Sequence, residues 1–300
     1  MSREWLSYAE RSNLLALRAI TWIALRLGRP AARALLYPIC AYFVVSSARM
    51  RRASRDYLSR ILGRRVRARD VFRHYHTFAA TVLDRVFLLT GRHRDFDLRV
   101  SGADVVDRLL REHRGCILLG SHLGSFEATR ATAANCPEMV VKLVMYPENA
   151  RKVGQLFEML DPRLKEVIIS LGRPEALLRI QECIARGEFV GLLGDRVLAE
   201  GKTVMREFLG EKAAFSLGPL QLAATLQAPV VLMFGLYRGG RRYDIHFELF
   251  AEELRVDRRN RADELGLWVG RYVQRLEHYC RLAPYNWFNF YEYWDSHDAS

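Results

Sequence analysis

The segment Gly120-Ser-His-Leu-Gly-Ser-Phe-Glu127 sets a histidine five residues ahead of a carboxylate. An imidazole can take a proton from a hydroxyl near neutral pH. A carboxylate on its other ring nitrogen would fix the tautomer and stabilise the imidazolium that forms. On one regular helix a spacing of five separates two side chains by about 140°, so His122 and Glu127 would not share a face. They can meet only if His122 lies in a turn and Glu127 in the first turn of the helix that follows. Gly120 and Gly124 bracket the histidine and permit such a turn at low steric cost. Ser125 is a competing nucleophile, but it lacks the Gly-x-Ser-x-Gly elbow that exposes a catalytic serine.

The elements that must position this pair alternate. Cys116–Gly120 is a short apolar run, suited to a buried strand, and Ser125 is a candidate cap for a helix running to Ala134. Further strands are expected at 96–100, 140–145, 167–170, 189–193, 229–237 and 243–250. Helices are expected at 70–90, 102–112, 149–160, 174–186, 218–226 and 263–282. This pattern predicts an α/β fold, with a mixed, largely parallel central sheet covered by helices. Reacting groups in such sheets stand at the carboxyl ends of strands.

Charge is distributed unevenly. Residues 1–75 hold sixteen arginines, no lysine and four acidic residues, an excess equal to the net charge of +12 for the whole chain. Residues 76–300 are therefore neutral, which argues against a uniformly basic nucleic-acid binder. A basic region mixed with apolar helix fits an anionic membrane surface. We expect two parts: a helical, basic, membrane-associating region over 1–75 and a catalytic domain over 76–300. The run Ala34–Ala48 is apolar but contains Pro38 and is shorter than the roughly 17–25 residues of a membrane span. A transmembrane helix, an interfacial or re-entrant pair, and ordinary core helices all remain open. The five cysteines are scattered and odd in number, so neither a disulfide framework nor a zinc site is expected. No metal-ligand spacing links His74, His76 and His246, and His113 precedes the strand at its far end. A reducing, cytoplasmic setting follows.

Gly-x-His-x-Gly-x-x-Glu after a hydrophobic strand resembles the His-x4-Asp/Glu motif of the lysophospholipid acyltransferase superfamily, and more closely its bacterial lipid A biosynthesis branch. A second block agrees: Gly191-Leu-Leu-Gly-Asp195-Arg196, then Gly201-Lys-Thr-Val-Met-Arg-Glu-Phe208-Leu-Gly210, Ser216-Leu-Gly-Pro219 and Ala228-Pro229-Val-Val. The likeness spans roughly residues 70–295. Ser125 and Phe126 stand where the branch often has Asn and Trp, and Arg196 where it often has Gln. The closing stretch Pro284–Trp294 resembles relatives outside core lipid A synthesis, including those associated with aryl-polyene pigments.

The resemblance implies transfer of a fatty acyl chain from an acyl thioester, on acyl carrier protein or coenzyme A, to a hydroxyl or amine of a lipid or glycolipid. His122 would be the general base and Glu127 its orienter, with no cofactor and no metal. Backbone amides near Gly120 and Gly124, or a nearby cation, would hold the oxyanion. Arg173, Asp195, Arg196 and Phe208 are candidate substrate-binding residues. Asp195 and Arg196 can equally form a structural ion pair, Arg173 can be a solvated loop cation, and Phe208 can be core. The seven aromatics of Tyr285–Trp294 suit either a membrane interface or a core plug. The implied location is the cytoplasmic face of a bacterial inner membrane. A thioesterase using the same dyad, and a non-catalytic membrane-surface protein, are the rival readings.

Overall fold

The computed structural model describes residues 14–132, 136, 138–146, 167–172, 174–197, 201–257 and 259–294. The expected helix at 149–160 lies outside the described residues, as does Arg173.

Among the described residues seven strands form one mixed sheet: β1 (Asp97–Ser101), β2 (Cys116–Gly120), β3 (Val141–Met145), β4 (Ile168–Ser170), β5 (Phe189–Leu193), β8 (Val230–Gly239) and β9 (Arg242–Ala251). Their order is β1-β9-β8-β2-β5-β3-β4, and every neighbouring pair is parallel except β8 with β9. The α/β reading is therefore correct. Strand β2 is buried at every position. Its side chains alternate between two cores, with Ile117 and Leu119 on one face and Cys116 and Leu118 on the other. That explains its unbroken apolar run: both faces of a central parallel strand are covered.

Eight helices are seen among the described residues: α1 (Leu14–Ser46), α2 (Ala48–Leu62), α3 (Ala68–Leu89), α4 (Ala103–Arg111), α5 (Phe126–Thr132), α6 (Pro174–Ala185), α7 (Gly218–Leu226) and α8 (Arg261–Leu282). Helix α1 is broken at Gly28, whose φ of 81° is outside the helical region. Helix α2 stops at Gly63 in the left-handed conformation, with its N–H bonded to the Ser59 carbonyl. The boundary expected near residue 75 falls inside α3, so the basic region and the sheet share a helix. Arg29 of α1 donates to both oxygens of Asp84 on α3, at 2.7 and 2.8 Å, and Tyr243 of β9 donates to the same carboxylate at 2.9 Å. Removing one partner of such a buried pair typically costs roughly 3–5 kcal/mol. The N-terminal helices are thus fastened to the sheet.

The hairpin of β6 (Thr203–Phe208) and β7 (Glu211–Ser216) was not expected. Its two-residue turn, Leu209-Gly210, has positive φ at both positions, 53° and 86°. That is the pattern of a type I′ hairpin turn, and leucine at the first position hides it from a search for Asn-Gly or Asp-Gly. The aromatic stretch Tyr285–Trp294 is a core plug: Trp287, Tyr293 and Trp294 are buried against Phe208 and Phe215.

His74 of α3 links this plug to the helices. Its Nδ1 accepts from Ser54 of α2 at 2.9 Å, and its Nε2 donates to the Trp287 carbonyl at 2.8 Å. Burial lowers its pKa to about 4. The unfolded chain then binds the extra proton between pH 4 and 6.5, so the neutral imidazole stabilises the fold fully above 6.5. Stability is lost as pH falls toward 4, by about 3 kcal/mol at most. Thermal melts across this window should show a shallower acid slope for His74→Gln than for the wild type; equal slopes would exclude the effect.

Candidate active site

Parallel pairing sets the site. Strands β2 and β5 are neighbours in register, with Gly120 opposite Leu193. Two residues beyond each strand end stand His122 and Asp195, so the turns after two adjacent parallel strands bring them together. The Gly194 amide donates to the Gly120 carbonyl at 3.0 Å and closes the two turns on each other.

His122 Nδ1 lies 2.8 Å from Asp195 Oδ1, and the His122 main-chain N–H donates to both carboxylate oxygens at 3.1 Å. Trp287 Nε1 and Asn289 Nδ2 also donate to Asp195 Oδ2, at 3.0 and 3.1 Å. Asp195 is fully buried. Burial alone would raise its pKa, but the His122 imidazole and the Arg196 guanidinium more than offset this and hold it at about 2. An ionised carboxylate at Nδ1 fixes the proton there and leaves Nε2 with the lone pair. The imidazole is 28% exposed, so it is reachable. Burial and then Arg196 lower its pKa against the opposing pull of Asp195, with Arg85 adding to the depression. The ring is thereby kept neutral, the form a base requires.

Glu127 lies where expected, in the first turn of α5, but it does not reach the imidazole. Its Oε1 is 2.7 Å from Arg85 Nε of α3, and its Oε2 accepts from Ser125 Oγ at 3.2 Å. The carboxylate on His122 is Asp195, because a turn that closes on a neighbouring strand's turn aims the ring across the sheet end rather than along α5. Ser125 caps α5 as expected, its Oγ accepting from the Ala128 amide at 3.1 Å.

Gly124 has a φ of 74°, and a Cβ there would fall 2.0 Å from the Gly235 carbonyl oxygen of β8. The turn therefore lies close against the end of β8. Gly124 N–H donates to the Asn286 carbonyl and Ser125 N–H to the Gly235 carbonyl, each at 2.8 Å. With the His122 amide held by Asp195, the amides of His122, Gly124, Ser125 and Ala128 are all committed within the protein. These four amides are therefore already engaged, two of them by main-chain carbonyls. Gly120 contributes its carbonyl, which accepts from Tyr272 as well as Gly194.

Arg196 Nε donates to Asn289 Oδ1 at 2.8 Å and Nη2 to the Phe288 carbonyl at 3.2 Å, which ties it to the plug beside His122. Phe208 is fully buried, stacked on Trp294 and edge-on to Trp287, which places it in the core behind the site. Sequence reasoning missed Arg85, Trp287 and Asn289. The aromatic stretch that holds Trp287 and Asn289 was marked as an interface or a plug but given no part in the site, and nothing local marked Arg85, which arrives from α3.

The site thus has a buried carboxylate, an oriented imidazole with a free Nε2, and two arginines near it, at the carboxyl ends of adjacent strands. The sequence matches the profile of bacterial lipid A biosynthesis acyltransferases over residues 4–294, nearly the whole chain. The chain belongs to this lipid A acyltransferase family. It is an acyltransferase of lipid biosynthesis, from a family usually associated with membranes. No match was found among curated proteins. No single helix among the described residues is long and apolar enough to cross a membrane. One pair, Gly28–Ser46 with Ala48–Leu62, passes by length and composition but is bent by 97°.

Proposed function

We propose that the enzyme moves a fatty acyl chain from a thioester of acyl carrier protein or coenzyme A to a hydroxyl or amine of a lipid or glycolipid. His122 is the general base. The observation that carries this reading is the 2.8 Å contact between His122 Nδ1 and Asp195, which leaves Nε2 as the ring's acceptor. Nε2 takes the acceptor's proton as its oxygen attacks the thioester carbonyl. The tetrahedral intermediate collapses, the C–S bond breaks, and the imidazolium returns the proton to the departing thiolate. The products are an acylated lipid and a free thiol. In this reading Asp195 takes over the orienting role that the sequence assigned to Glu127.

We place the enzyme on the cytoplasmic face of a bacterial inner membrane, held by α1 and α2. The second half of α1 exposes Tyr37, Tyr42, Phe43 and Val45. Arg29, Arg33 and Arg241 line a groove beside Tyr37. Apolar side chains next to arginines suit an anionic lipid surface.

Purified enzyme, given an acyl thioester and a membrane lipid extract, should yield an acylated lipid by mass spectrometry. His122→Ala and Asp195→Asn should each lower turnover by about 10³–10⁴-fold, as loss of a base or its orienter does. Wild-type turnover in either variant would refute the mechanism, and free fatty acid without acylated lipid would identify a thioesterase. In flotation with vesicles containing anionic phospholipid, the double substitution Tyr42→Asp, Val45→Asp should abolish binding. Undiminished flotation would place the membrane contact elsewhere.

A further inference from the structure

The amides of His122, Gly124 and Ser125 are committed within the protein, yet attack on a thioester generates a negative oxygen close to Nε2 that must be stabilised. Arg196 is engaged by Asn289 and the Phe288 carbonyl. Arg85 differs. Its Nε forms a close ion pair with Glu127 at 2.7 Å, off the hydrogen-bonding angle, and among the described residues nothing accepts a hydrogen bond from its guanidinium. Its side chain is 31% exposed, so it opens to solvent. Glu127 itself is mostly buried and is fixed on its other oxygen by Ser125, the cap of α5. A short, buried carboxylate on a fixed turn thus holds one edge of the guanidinium and leaves the rest available.

We propose that Arg85, positioned by Glu127, is the oxyanion-binding residue of this acyl-transfer site. This rests on the acyltransferase reading above and divides the two carboxylates differently from the simple dyad. Glu127 of the His-x4-Glu motif positions Arg85, and Asp195 orients His122. The ligand is a negatively charged oxygen of the substrate, either the thioester carbonyl oxygen as it becomes the tetrahedral oxyanion or a phosphate oxygen carried by donor or acceptor. Arg85 also lies near enough to His122 to lower the imidazole pKa, in concert with Arg196 and against Asp195. A guanidinium suits either oxygen, because its planar fork presents several donors at once.

The test is a double-mutant cycle on thioester cleavage and lipid acylation, using wild type, Arg85→Ala, Glu127→Gln and the double variant, with Arg85→Lys as a fold-preserving control and thermal melting of each. Arg85→Ala should lower kcat/KM by about 10²–10³-fold, the usual loss for one oxyanion donor. Arg85→Lys should recover only part of it. A loss in kcat assigns the tetrahedral oxyanion, and a rise in KM assigns a substrate phosphate. Glu127→Gln should impair the wild type yet cost less than about 3-fold more in the Arg85→Ala background, since effects of residues acting as a unit do not add. The acid limb of the pH–rate profile should move to higher pH in Arg85→Ala, which a merely structural role would not cause. Full multiplicative losses in the double variant would overturn the proposal, as would unchanged kcat and KM in Arg85→Ala. Absence of acylated lipid from the wild type would instead refute the acyltransferase reading, while the cycle could still be read on thiol release.

Discussion

A carboxylate buried without exposure stays charged only if donors surround it. Asp195 meets that condition with the His122 main chain and imidazole, the Trp287 indole and the Asn289 amide. Those donors come from the turn after β2 and from the final segment of the chain, while Asp195 itself stands in the turn after β5. One charge therefore binds together three pieces of the molecule distant in sequence. Loosening any of them would release the imidazole from its tautomer. The same demand explains why the closing aromatic stretch is buried: Trp287 is both the packing centre of the plug and a donor to the site.

Around this charge the fold divides its labour. The parallel pairing of β2 and β5 sets the separation of His122 and Asp195. Gly124 lies close against Gly235, and its amide and that of Ser125 are taken up by main-chain carbonyls. The basic helices take part as well. Helix α3 carries Arg85 toward the site, Asp84 toward Arg29 of α1, and His74 toward the plug. The helices that carry the chain's excess charge are thereby continuous with those that support the chemistry.

Much of this is legible in sequence because it is written in local periodicity. The apolar run of β2, the serine cap of α5 and the strand ending at Gly194-Asp195 all read correctly. The partner of His122 does not. Glu127 is near in sequence and has the right chemistry, but the geometry that decides the pairing is the register of two parallel strands, and linear spacing does not report register. Asp195 stands out in sequence for the loop it opens rather than for the ring it holds. Arg85 and Asn289 are invisible because each reaches the site across a long stretch of chain. The β6–β7 hairpin escapes because a leucine occupies a left-handed turn position where asparagine or glycine is the usual signal.

The pairing of His122 with Asp195 is the claim on which the mechanism rests, and the ring's tautomer reports it directly. Nitrogen-15 labelling of histidine, with proton–nitrogen correlation of the imidazoles at neutral pH, distinguishes the two forms. His122 should be the Nδ1–H tautomer in the wild type, should remain so in Glu127→Gln, and should lose that preference in Asp195→Asn. An Nε2–H tautomer in the wild type, or a preference lost in Glu127→Gln and kept in Asp195→Asn, would contradict the account.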